Sequence, residues 1–286
     1  MKFKGVIPVA GFGTRFLPIT KAQPKEMLPV IDKPVIQYVI EEFLGAGIDD
    51  ILLITGREKR ALEDHFDTSI GLEMLLKEKG KEKVLEEINQ ISNTRLFYVR
   101  QKERKGLGDA ILHAENFVDN APFIARVGDT ILASQKNPLK ELMKIYEKHK
   151  KPLILFERVR GKDVEKYGII DGEKIGGGLY KINSLAEKPK PEEAKSNMAI
   201  IGVYLFDSRI FDCIRKTKAG VGGEIQITDA INLLLEDEDV YACEFAGKRY
   251  DIGDPYSWLT ANIEFALKRD DLKEDVSRFL KGLDMN

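Results

Sequence analysis

Apolar and polar residues alternate regularly through the first half of the chain. Short apolar runs predict strands at residues 3–9, 49–55, 95–100 and 121–127. Apolar residues at helical spacing predict helices at residues 34–47, 57–66 and 108–118. In the first helix the apolar positions are Val35, Ile36, Val39, Ile40, Phe43 and Leu44, and the glycines that end it are Gly45 and Gly47. This alternation predicts a parallel sheet covered by helices on both faces.

The pattern changes after about residue 150, where strands follow each other with little helix between them. Apolar runs at residues 151–159, 167–172, 179–189 and 198–206 predict antiparallel additions to the sheet. Helical periodicity returns at two places, residues 223–238, with Ile225, Ile227, Ala230, Ile231 and Leu234 on one face, and Pro255 to Leu283. The predicted fold class is therefore α/β, with a Rossmann-like, mixed and mainly parallel sheet flanked by helices.

One domain spanning residues 1–286 is expected, because the sequence shows neither an internal repeat nor a flexible linker. Residues 67–95 form a charged helical insertion that interrupts the alternation. We interpret this insertion as a solvated helical pair, with an oligomer contact or a lid over a substrate as alternatives. Residues 255–286 supply C-terminal helices, a second surface for assembly into a homodimer or homotetramer.

Composition excludes several classes of function. With 45 basic and 47 acidic residues the formal net charge is −2, so no overall field attracts nucleic acid. Cys213 and Cys243 are too few and too far apart for a disulfide framework or a thiolate zinc site, which indicates a cytoplasmic protein. No apolar run approaches the roughly 20 residues that span a bilayer, and no signal peptide is recognised. The three histidines, His65, His113 and His149, lack metal-ligand spacing.

The segment VAGFGTRFLPITKAQPKEMLP, residues 9–29, follows the first predicted strand. A dinucleotide-binding turn needs a third glycine where Phe16 stands, and the Walker spacing is absent as well. What remains is a glycine-rich turn whose backbone N–H groups can face a phosphate or a base edge, although a structural tight turn is an alternative. Arg15 and Lys25 flank it, and prolines between Pro18 and Pro29 predict a rigid, extended loop. Fixed cations on a rigid loop suit a polyphosphate.

Asp129 follows the predicted strand at residues 121–127, so its carboxylate lies at the carboxyl end of a sheet strand, where α/β proteins bind ligands. Magnesium prefers oxygen ligands and takes one or two carboxylates together with phosphate oxygens and water. Asp251, in RYDIGDP, is the predicted second carboxylate. Asp254 in the same segment is an alternative, and a turn there also favours aspartate.

The glycine-rich segment resembles the signature of sugar-phosphate nucleotidyltransferases, and PKEMLPVIDKPVIQYVIEE is similar to the bacterial and archaeal UTP–glucose-1-phosphate uridylyltransferases. The resemblance continues through HFDTS, VRQKERKGLGDAIL, VGDTIL, EKYGIIDG, AEKPKPEEAKSNMAIIGVYLF and GGEIQITDAI, and so covers most of the chain. It implies the fold of nucleotide-diphospho-sugar transferases. The sequence Val127-Gly128-Asp129 is closer to the thymidylyltransferases, which leaves that branch open as an alternative.

The resemblance also implies a set of site residues. The nucleotide would be bound by Ala10, Gly11, Gly13, Thr14, Arg15, Lys25, Gln101, Gly106 and Asp129, with Gln101 and Gly106 at the pyrimidine edge. The sugar phosphate would be bound by Gly168, Glu187 and Lys188, and Mg²⁺ by Asp129 and Asp251. The implied catalytic residues are Arg15, Lys25, Asp129 and Lys188.

The implied reaction joins UTP and glucose 1-phosphate to give UDP-glucose and pyrophosphate. Since the second pKa of a phosphate monoester is about 6, the nucleophile is already largely dianionic at neutral pH, and no general base is needed. Catalysis then consists of alignment for in-line attack and of charge compensation. A catalytically silent nucleotide-sugar sensor is an alternative of another class, although the chain retains Arg15, Lys25 and Asp129.

Overall fold

A computed structural model describes residues 1–283 of the chain. In chain order its strands are β1 (Lys4–Pro8), β2 (Pro29–Val30), β3 (Lys33–Pro34), β4 (Ile51–Thr55), β5 (Leu96–Arg100), β6 (Phe123–Arg126), β7 (Thr130–Ala133), β8 (Leu153–Arg158), β9 (Gly168–Gly176), β10 (Leu179–Glu187), β11 (Met198–Phe206), β12 (Tyr241–Glu244) and β13 (Lys248–Asp251). Its helices are α1 (Val35–Gly45), α2 (Arg60–Phe66), α3 (Ile70–Glu78), α4 (Glu82–Ser92), α5 (Leu107–Leu112), α6 (Glu115–Val118), α7 (Pro138–His149), α8 (Arg209–Lys216), α9 (Ile227–Leu234), α10 (Pro255–Ala266) and α11 (Lys273–Lys281).

Nine of these strands form one sheet in the order β5-β4-β1-β6-β11-β8-β12-β10-β9. The first-half strands β5, β4, β1 and β6 are parallel to one another, as predicted. Strand β11 is antiparallel to both β6 and β8, and β10 is antiparallel to both β12 and β9. Strand β12 was not predicted, and it joins β8 in parallel.

The sheet is covered on both faces, which explains the continuous apolar runs of its central strands. Val6 and Ile7 of β1 are both fully buried and lie in two different core clusters. The Val6 cluster packs against α5, α8 and α9, and the Ile7 cluster packs against α1, α2 and α7. Burying each such aliphatic side chain contributes about 1.5–3 kcal/mol to the free energy of unfolding. Packing on both faces of the sheet therefore holds the parallel strands, and with them the edge at which they end, in place.

Two predicted helices have different bounds in the structure. The predicted helix at residues 108–118 is divided into α5 and α6, because Nδ1 of His113 lies 2.9 Å from the carbonyl oxygen of Asp109 while the His113 amide donates to Ala110 instead. The predicted helix at residues 223–238 begins at Ile227. Ile225 is extended, since its amide donates to Lys105 and its carbonyl accepts from Gly108.

Residues 67–95 contain the helical pair α3 and α4, and the C-terminal region contains α10 and α11; the last predicted residues, 284–286, lie outside the described part. Gly45 is the last residue of α1, and Gly47 has a φ of 82°, in agreement with the predicted helix end. Among residues 1–283 no helix combines the length and apolar character needed to cross a membrane.

Candidate active site

The glycine-rich segment begins where β1 ends, at the carboxyl edge of the parallel strands. The predicted extended loop is wrong: residues 14–27 fold into three 3₁₀ turns, Thr14–Phe16, Ile19–Lys21 and Lys25–Met27. The prolines initiate turns, because the carbonyls of Pro18 and Pro24 accept the amides of Lys21 and Met27. Gly13 adopts a left-handed φ of 68°, and its carbonyl accepts the hydroxyl of Thr20 at 2.8 Å. The loop is therefore compact and internally hydrogen-bonded.

Lys25 connects this loop to the strand edge. Its Nζ lies 2.5 Å from Oδ2 of Asp129, and 18 % of its side chain is exposed. A Cβ added at Gly13 would lie 3.2 Å from the Cβ of Lys25, so glycine at this position makes room for the lysine stem.

Burial and charge act in opposite directions on this pair. Burial works against ionisation of Asp129, but the contact with Lys25 and the field of Arg15 outweigh it and hold the pKa of the carboxyl below its ordinary value. Burial likewise lowers the pKa of Lys25, but Asp129 and Glu26 outweigh it and raise the pKa overall. Both groups are therefore charged at neutral pH.

A second ion pair lies behind the first. Glu26 and Lys59 are 1 % and 3 % exposed, and their charged atoms lie 2.7 Å apart. Burial dominates both groups, raising the pKa of Glu26 and lowering the pKa of Lys59. Since Glu26 follows Lys25 directly, the pair attaches the lysine turn to helix α2.

The two predicted carboxylates lie on paired segments. Strands β7 and β13 are antiparallel with Asp251 opposite Thr130, and the amide of Ile252 donates to the carbonyl of Asp129 at 3.0 Å. Asp254, the alternative, accepts the amide and the hydroxyl of Ser257 at 3.0 and 2.7 Å and caps helix α10. Asp251 and Asp129 therefore lie on neighbouring backbone segments, whereas Asp254 has a capping role, and all three residues line the same cleft.

These carboxylates fit a magnesium ion that also takes ligand oxygens. Within residues 1–283 no group of three or more His, Cys, Asp or Glu side chains could hold a metal ion on its own. Two carboxylates on paired strands match the way Mg²⁺ is bound by one or two carboxylates, phosphate oxygens and water. Asp129 and Asp251 are the residues that would hold the ion.

The site lines one cleft of about 700 Å³. Six predicted site residues line it, namely Arg15, Asp129, Gly168, Glu187, Lys188 and Asp251. Arg15 reaches the loop after β13, because a Cβ added at Gly253 would lie 2.8 Å from its Nη2. Lys25 adjoins the cleft through Asp129.

The far side of the cleft is formed by β9, β10 and α9. Oε2 of Glu187 accepts the hydroxyl of Thr228 at 3.1 Å. A Cβ at Gly168 would lie 2.8 Å from a methyl carbon of Thr228, so only glycine fits at that wall. Lys188 has a left-handed φ of 46°, and its Nζ is 3.4 Å from Glu187. These three predicted residues therefore meet at one wall, which Thr228 supports.

Gln101 and Gly106 lie at the same sheet edge but do not line the large cleft. Gln101 follows β5, is 4 % exposed, and donates its backbone amide to Thr55 of β4. Gly106 has a φ of 107°, and a Cβ there would lie 2.8 Å from the carbonyl of Ile225. Gly11 and Thr14 line a separate cavity of about 260 Å³.

Two arginines at the site were not predicted. Nε of Arg104 donates to the carbonyl of Ala10 at 2.6 Å, and its Nη2 pairs with Glu58, also at 2.6 Å. The guanidinium of Arg104 lies 3.5 Å from the centre of the Phe12 ring. No spacing in the sequence indicates this long-range contact. Arg249 lies 3.2 Å from Asp251, and its position two residues earlier on β13 was a usable signal for a shared strand face.

The fold and the site together define an α/β protein with a cleft, lined by cationic and acidic side chains, at the carboxyl edge of its parallel strands. The family model described as nucleotidyl transferase matches residues 4–267. The chain belongs to the nucleotidyl transferase family, whose members generally use a divalent metal ion.

Relatives match over nearly the full chain. A protein of Staphylococcus saprophyticus named UTP–glucose-1-phosphate uridylyltransferase 1 is 47 % identical over 281 residues, covering 98 % of each chain. A protein of Methanocaldococcus jannaschii, whose name gives that activity provisionally, is 55 % identical over 284 residues, covering 98 % of this chain and 99 % of the relative. The crystal structure of a UDP-glucose pyrophosphorylase complexed with UDP-glucose superposes with a TM-score of 0.87 at 43 % identity, covering 94 % of this chain and 100 % of the other.

Proposed function

We propose that the protein is a UTP–glucose-1-phosphate uridylyltransferase, which forms UDP-glucose and pyrophosphate from UTP and glucose 1-phosphate. The observation that carries this proposal is one cleft that has the Lys25–Asp129 pair at one end and Glu187 with Lys188 at the other. Cations at both ends of a cleft suit a reaction between two phosphorylated substrates. The names of the relatives support the same activity.

Each side chain has a role in bringing two anions together. Lys188 would orient the sugar phosphate, and Glu187 would accept hydrogen bonds from sugar hydroxyls. Arg15 and Lys25 would neutralise the departing pyrophosphate, since both lie on the same loop and Lys25 is already held by Asp129. The substrate phosphate supplies its own nucleophilic oxygen, so no side chain has to remove a proton.

Asp129 and Asp251 would hold Mg²⁺, which supplies positive charge for the phosphate oxygens of both substrates. The structure contributes two features that favour this binding. Lys25 and Arg15 keep Asp129 ionised despite its burial. The antiparallel pairing of β7 with β13 holds together the backbone segments that carry the two carboxylates.

The thymidylyltransferase alternative rests on Val127-Gly128-Asp129, and Gly128 has a packing explanation. A Cβ at Gly128 would lie 2.4 Å from a methyl carbon of Val9, so the neighbouring strand excludes any side chain there. Packing against the neighbouring strand is therefore sufficient to explain this glycine.

We also propose that residues 1–286 form a single domain, since one sheet takes strands from both halves of the chain.

A homodimer or homotetramer is supported by exposed apolar side chains on α3 and α11, such as Ile70, Met74 and Phe279. A cytoplasmic location is supported by the two free cysteines.

Pyrophosphate release over a substrate panel tests the proposed function. UTP, dTTP, CTP, ATP and GTP are each combined with glucose, galactose and N-acetylglucosamine 1-phosphates, with Mg²⁺ present. UTP with glucose 1-phosphate should give the largest kcat/KM. Preference for dTTP would favour the thymidylyltransferase alternative, and release with no pair would favour the sensor.

A further inference from the structure

The side-chain amide of Gln101 is held by two acceptors. Its Nε2 donates to Oδ2 of Asp109 at 2.6 Å and lies 3.4 Å from the carbonyl oxygen of Gly106. An ionised aspartate and a backbone carbonyl can only accept hydrogen bonds. The amide nitrogen, and not the amide oxygen, must therefore face both groups, which fixes the orientation of the amide.

This orientation assigns the two polar atoms of Gln101 to different tasks. Both N–H bonds of the amide are directed to acceptors within the protein, so the carbonyl oxygen Oε1 is the atom left for a ligand. Gln101 lies next to the glycine-rich turn, since Arg104 of the same loop donates to Ala10. A ligand at this edge would meet an acceptor, which replaces our expectation that the amide offers a donor and an acceptor together.

The chemistry of pyrimidines gives this difference a consequence. N3 of uracil and of thymine carries a hydrogen and is a donor, whereas N3 of cytosine is an acceptor. An acceptor held in place toward N3 forms a hydrogen bond with uracil and opposes the lone pair of cytosine. A fixed polar partner discriminates far more strongly than an apolar pocket does.

We propose that Asp109 is a positioning residue for base selection, which fixes the Gln101 amide so that uracil or thymine is accepted and cytosine is rejected. The inference rests on the proposed function, in which Gln101 contacts the base. The Gly106 carbonyl, at 3.4 Å, is a much weaker partner than Asp109 at 2.6 Å. Without the Asp109 carboxylate, the amide is therefore able to rotate by 180° and offer its N–H₂ group to N3 of cytosine.

Binding of UTP and CTP to three proteins tests this proposal, measured by calorimetry with Mg²⁺ present. The proteins are the wild type, Asp109→Asn and the control Glu103→Gln. Glu103 is an exposed carboxylate in the same surface cavity as Asp109, paired with Lys105 at 2.7 Å, so its substitution removes an equal charge. Asparagine can donate as well as accept, and the preference for UTP over CTP should fall about 10- to 100-fold in Asp109→Asn alone.

Three results would overturn the proposal: equal binding of UTP and CTP by the wild type, a preference within twofold of wild type in a folded Asp109→Asn protein, or the same loss in Glu103→Gln. Asp109→Ser, whose hydroxyl also donates and accepts, replaces Asp109→Asn if that variant does not fold. Pyrophosphate release by the wild type is measured separately. If the wild type turns over and Asp109→Asn keeps the wild-type preference for UTP over CTP, only the role of Asp109 is rejected. If Asp109→Asn changes that preference but the wild type releases no pyrophosphate, only the proposed reaction is rejected.

Discussion

Two lysines flank the cleft from opposite halves of the chain, and they differ in how firmly they are held. Lys25 has 18 % of its side chain exposed and lies 2.5 Å from Asp129. Lys188 has 47 % exposed and lies 3.4 Å from Glu187. Folding has already ordered Lys25, whereas the ordering of Lys188 is left to ligand binding. We infer that the pyrophosphate end is preformed and that the sugar-phosphate end becomes ordered around its ligand.

The largest loss of turnover is expected from Asp129→Asn. This substitution removes the carboxylate that holds Lys25 and that would also hold the metal ion. Turnover should fall to background at every Mg²⁺ concentration, because asparagine supplies no charge to either cation. Steady-state rates over a magnesium titration measure this, with the exposed Asp275→Asn as control. Undiminished activity in Asp129→Asn would reject the metal-binding role.

Lys25→Ala should lower kcat by about 10²–10³, because a fixed cation at the leaving group is lost. Circular dichroism should match the wild type, since the loop has its own hydrogen bonds through Thr20, Pro18 and Pro24. Lys21→Ala, an exposed lysine of the same loop, should leave kcat unchanged. A wild-type kcat in Lys25→Ala would contradict the assignment.

Glu26→Gln should reduce the free energy of unfolding by about 3–5 kcal/mol, because Lys59 would keep a buried charge without its partner. Urea denaturation measures this loss. The exposed pair Lys33–Glu41, at 2.8 Å, provides the matched control, and Glu41→Gln should cost at most about 1 kcal/mol. Equal losses in both variants would show that burial of the first pair has no special effect.

Lys188→Ala should raise KM for glucose 1-phosphate about 10- to 100-fold with a smaller change in kcat, since one charged hydrogen bond to a phosphate is lost. The free energy of unfolding should not change, because the side chain is half exposed. Lys190→Ala, two residues further on, should behave as wild type. A kcat loss as large as that of Lys25→Ala would remove the distinction between the two lysines.

The smallest effect is a difference in acid stability. The pKa of Asp129 lies below its ordinary value of 3.8 in the folded chain, so the unfolded chain binds this proton more readily. The stability contributed by Asp129 is therefore present above pH 3.8 and is lost as pH falls through the lowered pKa. Between pH 5 and 2, the free energy of unfolding should fall more steeply for the wild type than for Asp129→Asn. Parallel curves would contradict the lowered pKa.

The sequence predicted elements more reliably than contacts. Local periodicity predicted the strands of the parallel half and helix α1. The place of Asp129 at the carboxyl edge of the sheet was predicted from its position after a strand. Helix α7 was not predicted, although Asn137 accepts the amides of Leu139 and Lys140 and precedes a proline, a recognisable helix start.

The remaining features depend on contacts between distant residues. Nothing near Glu26 indicates that Lys59 would be buried against it, and nothing near Arg104 indicates its bond to Ala10. The loop at residues 14–27 was predicted as extended because its prolines were taken as rigid spacers, whereas Pro18 and Pro24 initiate tight turns. Such pairings are determined by the packing of the whole chain, and composition or spacing does not contain them.

The position of β11 has a consequence for how the chain is made. This strand, Met198–Phe206, lies between β6 and β8, so the inner edge of β6 acquires its partner only after more than seventy further residues have been synthesised. During that interval the nascent N-terminal half presents an open, apolar strand edge, the kind of surface that leads to aggregation and chaperone binding. A fragment ending before Met198 should therefore be insoluble, even though it contains all four parallel strands of the first half, β5, β4, β1 and β6.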